Sequence, residues 1–325
     1  MKEIKWAVLG CGVIANEMAV ALQKNGKNIY AVGNRTHEKA AAFAEKYGIG
    51  KVYDDFHEMF TDPEVDVIYI TTPHNTHLGF MKEAIANGKH ILVEKSITLN
   101  SDELDEAIAL AKEKDVIIGE AMTIYHMPIY KELKKLLDSG RLGRVNLITM
   151  NFGSFKEYNM KNRFFNRNLA GGAMLDIGVY ALSFIRWFFD SKPDQLLSQV
   201  KPAPTGVDEQ AGLLLTNQEG QMASVMLSLH SKQPKRGMVS CENGFIEIME
   251  YPRAWEAKIT DASTGESEII KAGDNADALA YELADMEHAI NGDASAMHLD
   301  YTKDVMDLMT SFRRTWGYTY PEEEK

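Results

Sequence analysis

Only two cysteines occur in 325 residues, Cys11 and Cys241, and they stand far apart. That excludes a disulfide framework and a cysteine-rich zinc site, and it suits a reducing compartment. Basic residues are in the minority, 35 Lys and Arg against 47 Asp and Glu, for a net charge of −12. A nucleic-acid partner needs a basic face and is not expected. An anionic ligand would have to be held by local donors against the field of the whole chain. Long apolar runs are also missing. The most apolar long segment, Ala173 to Phe189, is broken by Asp176 and Arg186 and reads as a buried core helix rather than a membrane span. The start of the chain lacks a secretory pattern, because Lys2, Glu3 and Lys5 lead directly into a strand. The expectation is a cytoplasmic protein with no membrane partner.

What is present is an ordinary globular balance, 45% hydrophobic and 25% charged, in a chain long enough for two domains. Apolar strands at Ile4–Leu9, Ile29–Asn34, Val67–Thr71, His90–Glu94 and Val116–Glu120 alternate with helical patterns. Those helices run over Val13–Lys24, His37–Tyr47, Asn75–Asn87 and Ser101–Lys114. This alternation predicts an α/β fold with a doubly wound parallel sheet, whose ligands bind beyond the carboxyl ends of the strands. After a helix at about Pro128–Leu137 the style changes. Strands follow at Val145–Phe152, Leu196–Val200, Ala211–Thr216, Met222–His230, Met238–Cys241, Phe245–Met249 and Trp255–Thr260. Turn signals at Asn217–Gly220 and Glu242–Gly244 argue for a mostly antiparallel sheet. Two helices, Asn275–Ile290 and Asp300–Trp316, close the chain. The domains are therefore read as 1–121 and 122–325.

The first strand ends in Gly10-Cys11-Gly12-Val13-Ile14-Ala15. A glycine turn between a buried strand and a helix start cradles a dinucleotide pyrophosphate. Gly10 serves the tight turn, Gly12 the close backbone approach, and the N–H groups of the helix start the anion. Cys11 is read as a small packing residue there. Beyond the second strand, Asn34 and Arg35 stand where an NAD site places a carboxylate, so NADP is preferred over NAD. The third strand delivers Thr71, Thr72, Pro73, Asn75 and His77, read as helix caps and cofactor contacts. His74 and His77 have no third ligand at metal spacing, so no metal is expected.

The fourth strand delivers Glu94 and Lys95 to the same edge. An ammonium at a buried strand end is costly unless paired or functional. Burial and a nearby cationic nicotinamide would lower its pKa toward that of a base for a hydroxyl proton, while an ion pair with Glu94 or Asp176 is the structural alternative. Later in the chain, Gly171-Gly172 precede a helix with Asp176 and Tyr180 four residues apart, on one face. They are read as a substrate-facing pair, or alternatively as a satisfied core tyrosine.

Taken in order, Gly10–Ala15, Glu94-Lys95, Gly140-Arg141-Leu142-Gly143-Arg144-Val145 and Gly171–Tyr180 resemble the motifs of the Gfo/Idh/MocA oxidoreductases. The resemblance spans nearly the whole chain. It implies a Rossmann domain, then an α/β domain with a large, mostly antiparallel sheet often used for oligomer contacts, here a homodimer or homotetramer. It also implies NAD(P)-dependent hydride transfer on a small sugar, polyol or cyclic diol. Substrate would then lie between the nicotinamide and the second domain, with Lys95 as the acid/base and Asp176 and Tyr180 lining the substrate site. Arg163, in the loop before Gly171, is read separately as a substrate or phosphate contact. A non-catalytic dinucleotide sensor of the same fold is the rival reading. Three positions depart from the family pattern, the first being Tyr180, which stands where histidine is common and looks more like the dihydrodiol and xylose dehydrogenase branch. Ser96 replaces the proline after the lysine, and Tyr125 stands where the dihydrodiol and xylose dehydrogenase branch often has arginine.

Overall fold

The computed structural model describes residues 3–324. The chain forms two compact units, one up to Ala121 joined by Leu279–Leu299, the other Met122–Ala278 joined by the segment from Asp300 onward. The chain first passes from one unit to the other after Ala121, and Leu279–Leu299 return to the first unit.

The first unit runs β1 (Trp6–Leu9), α1 (Val13–Lys24), β2 (Ala31–Gly33), α2 (His37–Tyr47), β3 (Lys51–Tyr53), α3 (Phe56–Thr61) and β4 (Val67–Ile70). It continues with α4 (His77–Ala86), β5 (His90–Glu94), α5 (Ser101–Lys114) and β6 (Ile118–Ala121). Its six strands are all parallel in the order β3-β2-β1-β4-β5-β6, the doubly wound arrangement. β1 and β4 are buried throughout, which explains their unbroken apolar sequence. α1 buries Ala15, Met18, Ala19 and Leu22, spaced as one helical face. The Asn100 side chain accepts from the Glu103 N–H at 2.9 Å and starts α5, and Gly48 at φ 68° ends α2.

The second unit contains α6 (Thr123–His126), α7 (Pro128–Asp138), β7 (Val145–Gly153) and α8 (Val179–Phe188). The strands β8 (Gln195–Pro202), β9 (Asp208–Thr216), β10 (Met222–Ser228) and β11 (Arg236–Cys241) follow, then β12 (Gly244–Met249), β13 (Glu256–Asp261) and β14 (Ser267–Lys271). The sheet order is β14-β13-β12-β11-β7-β10-β9-β8. It is mostly antiparallel, with β7 and β10 paired parallel at its centre. α8 covers one face closely enough that a Cβ at Gly237 in β11 would strike the Phe184 ring. Within the apolar stretch Arg167–Phe188 that contains α8, the most apolar part is mostly buried. Of the two closing helices, α9 (Ala278–Ile290) joins the first core through Leu279, Leu283, Met286 and Ala289. The other, α10 (Leu299–Trp316), serves the second unit, where Asp304 accepts from Arg186 of α8 at 2.6 Å.

Candidate active site

In the first unit the cofactor residues read from sequence collect at the carboxyl edge of the parallel sheet. Gly10 adopts φ 108°, its N–H donates to the Gly33 carbonyl at 2.8 Å, and a Cβ there would strike Thr71. Gly12 differs: it precedes α1 with no side-chain cap, and a Cβ on it would meet nothing within 4 Å. The start of α1 is thus uncrowded on the Gly12 side, and Val13 beside it is 79% exposed. A glycine turn leading into a helix start is the arrangement in which Rossmann domains cradle a dinucleotide pyrophosphate. Cys11 is half-buried and its thiol is pushed up to about 11 by burial, so it is protonated and inert.

Past β2, Arg35 is exposed, while the Asn34 amide donates to the Thr36 carbonyl at 3.0 Å. Thr36 makes no side-chain capping bond to α2. Past β4, the Thr76 hydroxyl donates to Thr72 Oγ1 and the Pro73 carbonyl, each at 2.7 Å. Thr71 donates to the Leu9 carbonyl at 3.1 Å and so ties this loop to β1.

His77 sits differently from a cofactor contact. It is completely buried, with Nε2 2.9 Å from the Thr72 carbonyl oxygen and Nδ1 3.1 and 3.2 Å from those of Ser96 and Ile97. Burial pushes its pKa below the ordinary imidazole range, although the three carbonyls pull the other way. His74 Nε2 lies 3.0 Å from the Lys95 carbonyl oxygen, and the two imidazoles meet edge to face at 5.7 Å. From β6, the buried Glu120 carboxylate accepts the Ile97 N–H at 3.1 Å. The segment from Lys95 to Ile97 is therefore held on three sides. The Lys95–Ser96 peptide is cis. Lys95 itself is half-buried at the end of β5, and the Tyr69 hydroxyl donates to Glu94. Among the described residues, no three His, Cys, Asp or Glu side chains form a metal-binding group.

In the second unit a π-turn, Met174–Gly178, carries Asp176 and leads into α8 with Tyr180. Such turns are rare and recur at functional sites, because the extra residue re-aims side chains. Arg163 Nη2 lies 3.7 Å from Asp176 Oδ1, so these two sequence-read residues do meet. Tyr180 packs against Phe152 at 6.2 Å and stands near the buried Tyr251 phenol. Tyr125 is buried in this unit's core, stacked on Trp187 at 6.0 Å.

A parallel sheet in Rossmann order, with a helix-start anion cradle and a lysine at its carboxyl edge, defines a dinucleotide-dependent oxidoreductase domain. Residues 4–122 match the family of oxidoreductases with an NAD-binding Rossmann fold, and residues 130–247 match the Gfo/Idh/MocA C-terminal domain. The chain belongs to the Gfo/Idh/MocA oxidoreductase family. It is 32% identical to the trans-1,2-dihydrobenzene-1,2-diol dehydrogenase of Xenopus tropicalis, across 75% of this chain and 74% of that one. The mouse enzyme of the same name is 26% identical over 99% of both chains. Two solved structures share the fold. One is a 3-ketoreductase from Actinomadura kijaniata (TM-score 0.85, 20% identity, 96% of this chain and 98% of that chain). The other is an aldose-aldose oxidoreductase from Caulobacter crescentus (TM-score 0.85, 22% identity, 96% and 97%).

The contrast between the two glycines yields a test. Gly12→Ala is expected to leave thermal stability within about 0.5 kcal/mol, as for a substitution into open space, while weakening NADPH binding at least ~10-fold. Fluorescence titration beside thermal melting checks both. Unchanged affinity would mean the phosphates do not approach this turn.

Proposed function

We propose that the protein is an NADP-preferring dehydrogenase or reductase that interconverts a secondary alcohol and a carbonyl on a diol, polyol or sugar. The observation that carries this reading is the half-buried Lys95 at the carboxyl edge, on a segment fixed by His74, His77 and Glu120. A bound nicotinamide supplies the acceptor or donor of hydride. Lys95, in its neutral form, takes the hydroxyl proton on oxidation and returns it on reduction. Asp176 and Tyr180 hydrogen-bond and orient the hydroxyl, and Arg163 stands 3.7 Å from Asp176, beside the same group. The names of the relatives favour a vicinal cyclic diol as substrate. Lys95→Met is expected to lower turnover of trans-1,2-dihydrobenzene-1,2-diol by roughly 10²–10⁴-fold while NADPH binding stays within a few-fold. Unchanged turnover would remove Lys95 as the base, and tight binding with no turnover by the wild-type chain on any polyol would favour a sensor.

The preference for NADP rests on the exposed Arg35 beyond β2 and the absence of a carboxylate beside it. Arg35→Ala is expected to reduce kcat/KM with NADP about 10-fold or more, as for loss of a charged hydrogen bond, and to leave the NAD value little changed. Equal losses with both cofactors would contradict the assignment.

A second copy of the chain is the proposed occupant of the open face of the eight-stranded sheet, giving a homodimer or homotetramer. Leu197 and Leu214 are cross-strand partners there, as are Leu147 and Met222, and all four are exposed together with Met226. Contiguous exposed apolar side chains of this kind mark interfaces. Met226→Glu is expected to shift the species seen by light scattering toward monomer. A wild-type chain that is monomeric at micromolar concentration would refute the proposal.

A further inference from the structure

Asp208, the first residue of β9, is completely buried, yet Lys95, Asp176 and Tyr180 leave it no part in the chemistry. Its Oδ2 accepts the Met174 N–H at 2.5 Å, at the start of the π-turn that bears Asp176. Its Oδ1 accepts from the Tyr318 hydroxyl. Gly172 makes the approach possible: at φ 126°, a Cβ on it would collide with Oδ1. The same glycine donates to the Phe164 carbonyl at 3.0 Å and accepts the Asp176 N–H at 3.3 Å. It thus joins the segment next to Arg163 to the turn carrying Asp176. The Tyr320 hydroxyl holds the Gly171 carbonyl at 2.7 Å. Behind the two tyrosines, buried Arg313 from α10 pairs with Glu323 at 2.8 and 2.9 Å and stacks over Tyr320.

We infer that Asp208 is a positioning residue, whose carboxylate fixes the start of the helix that presents Asp176 and Tyr180 to substrate. The inference rests on the reading of those two residues as substrate ligands. A charged acceptor holds a helix N–H about twice as strongly as a neutral one and also favours the positive end of the helix. Burial pushes the Asp208 carboxyl up to about 6, against the pull of Tyr318, the Met174 N–H and, at longer range, Arg313. The group is thus ionised above that pH and protonated below it, where the clamp on Met174 weakens. Titratable groups facing it are Arg313 from α10, which is paired with Glu323, and the neutral phenols of Tyr318 and Tyr320 from the closing segment.

The test uses the full chain, NADP and trans-1,2-dihydrobenzene-1,2-diol between pH 5 and 8. KM for the diol is expected to rise about five-fold as pH falls through about 6, the difference between a charged and a neutral hydrogen bond. KM for NADP should stay level. Tyr318→Phe removes a donor that favours the ionised carboxylate, so the step should move to higher pH. Asp208→Asn should leave KM high and independent of pH over this range. A step that Tyr318→Phe does not move, or a parallel rise in KM for NADP, overturns the proposal. Amide exchange at Met174–Gly178, corrected for intrinsic rate, reads the clamp without any substrate. It should quicken as pH falls in the wild-type chain, and an unchanged rate also overturns the proposal. Should Asp176→Asn leave diol KM untouched while the exchange step is present, the assignment of Asp176 to substrate fails and the clamp stands.

Discussion

The buried imidazole of His77 lies within hydrogen-bond distance of three carbonyl oxygens, those of Thr72, Ser96 and Ile97. Loops that leave buried strands carry backbone groups that water cannot reach, and an unpaired one costs about 1–3 kcal/mol. Burial favours the neutral ring, so the one N–H of His77 serves this demand on one side of the junction between the loops that follow β4 and β5. Its ring joins the threonine-rich turn to the segment of Lys95, while His74 and Glu120 secure the same segment from either side. A lysine that must carry a proton at a fixed point gains from a backbone that cannot drift, because small misplacements of a reacting group are costly.

The second unit solves the same problem with other means. A carboxylate, two tyrosines and a glycine hold the start of the helix from behind, leaving Asp176 and Tyr180 half-buried on the other side. The π-turn between the glycine pair and α8 adds a residue to the helix where Asp176 sits. In both units, then, residues remote in sequence immobilise the backbone, and the polar side chains assigned to chemistry stand at the ends of buried elements.

How much of this was legible in the sequence depends on how local the cause is. α1, α2 and α5 end where expected, since glycines and Asn100 mark their limits and their apolar faces repeat cleanly. β5 matches residue for residue for the same reason: five residues between a Gly-Lys turn and a polar loop. β3, α3 and β14 escaped notice. β3 is three residues long, and β14 is an exposed edge strand whose Ser-Glu-Ile-Ile-Lys sequence carries little alternation. The return of Leu279–Leu299 to the first core, the role of Glu120 and the imidazole bridge of His77 involve partners about 20 to 280 residues away, so no local pattern announces them. By its place after a strand end, the sequence predicts a cofactor contact at His77. Its burial, invisible in sequence, makes it a brace. Asp208 begins an ordinary strand, and only the missing Cβ of Gly172 explains why a carboxylate can stand there.

The central claim is that cofactor chemistry belongs to the carboxyl edge of the parallel sheet. A competing hollow of about 640 Å³ lies at the opposite, amino edge, bounded by Lys5, Tyr30 and Lys51. Hydrogen–deuterium exchange of the full chain with and without NADPH distinguishes the two edges directly. Protection is expected at residues 10–15, 71–77 and 94–97, with the amino edge unaffected. Protection confined to the segments around Lys5, Tyr30 and Lys51, or none at residues 10–15, would contradict it.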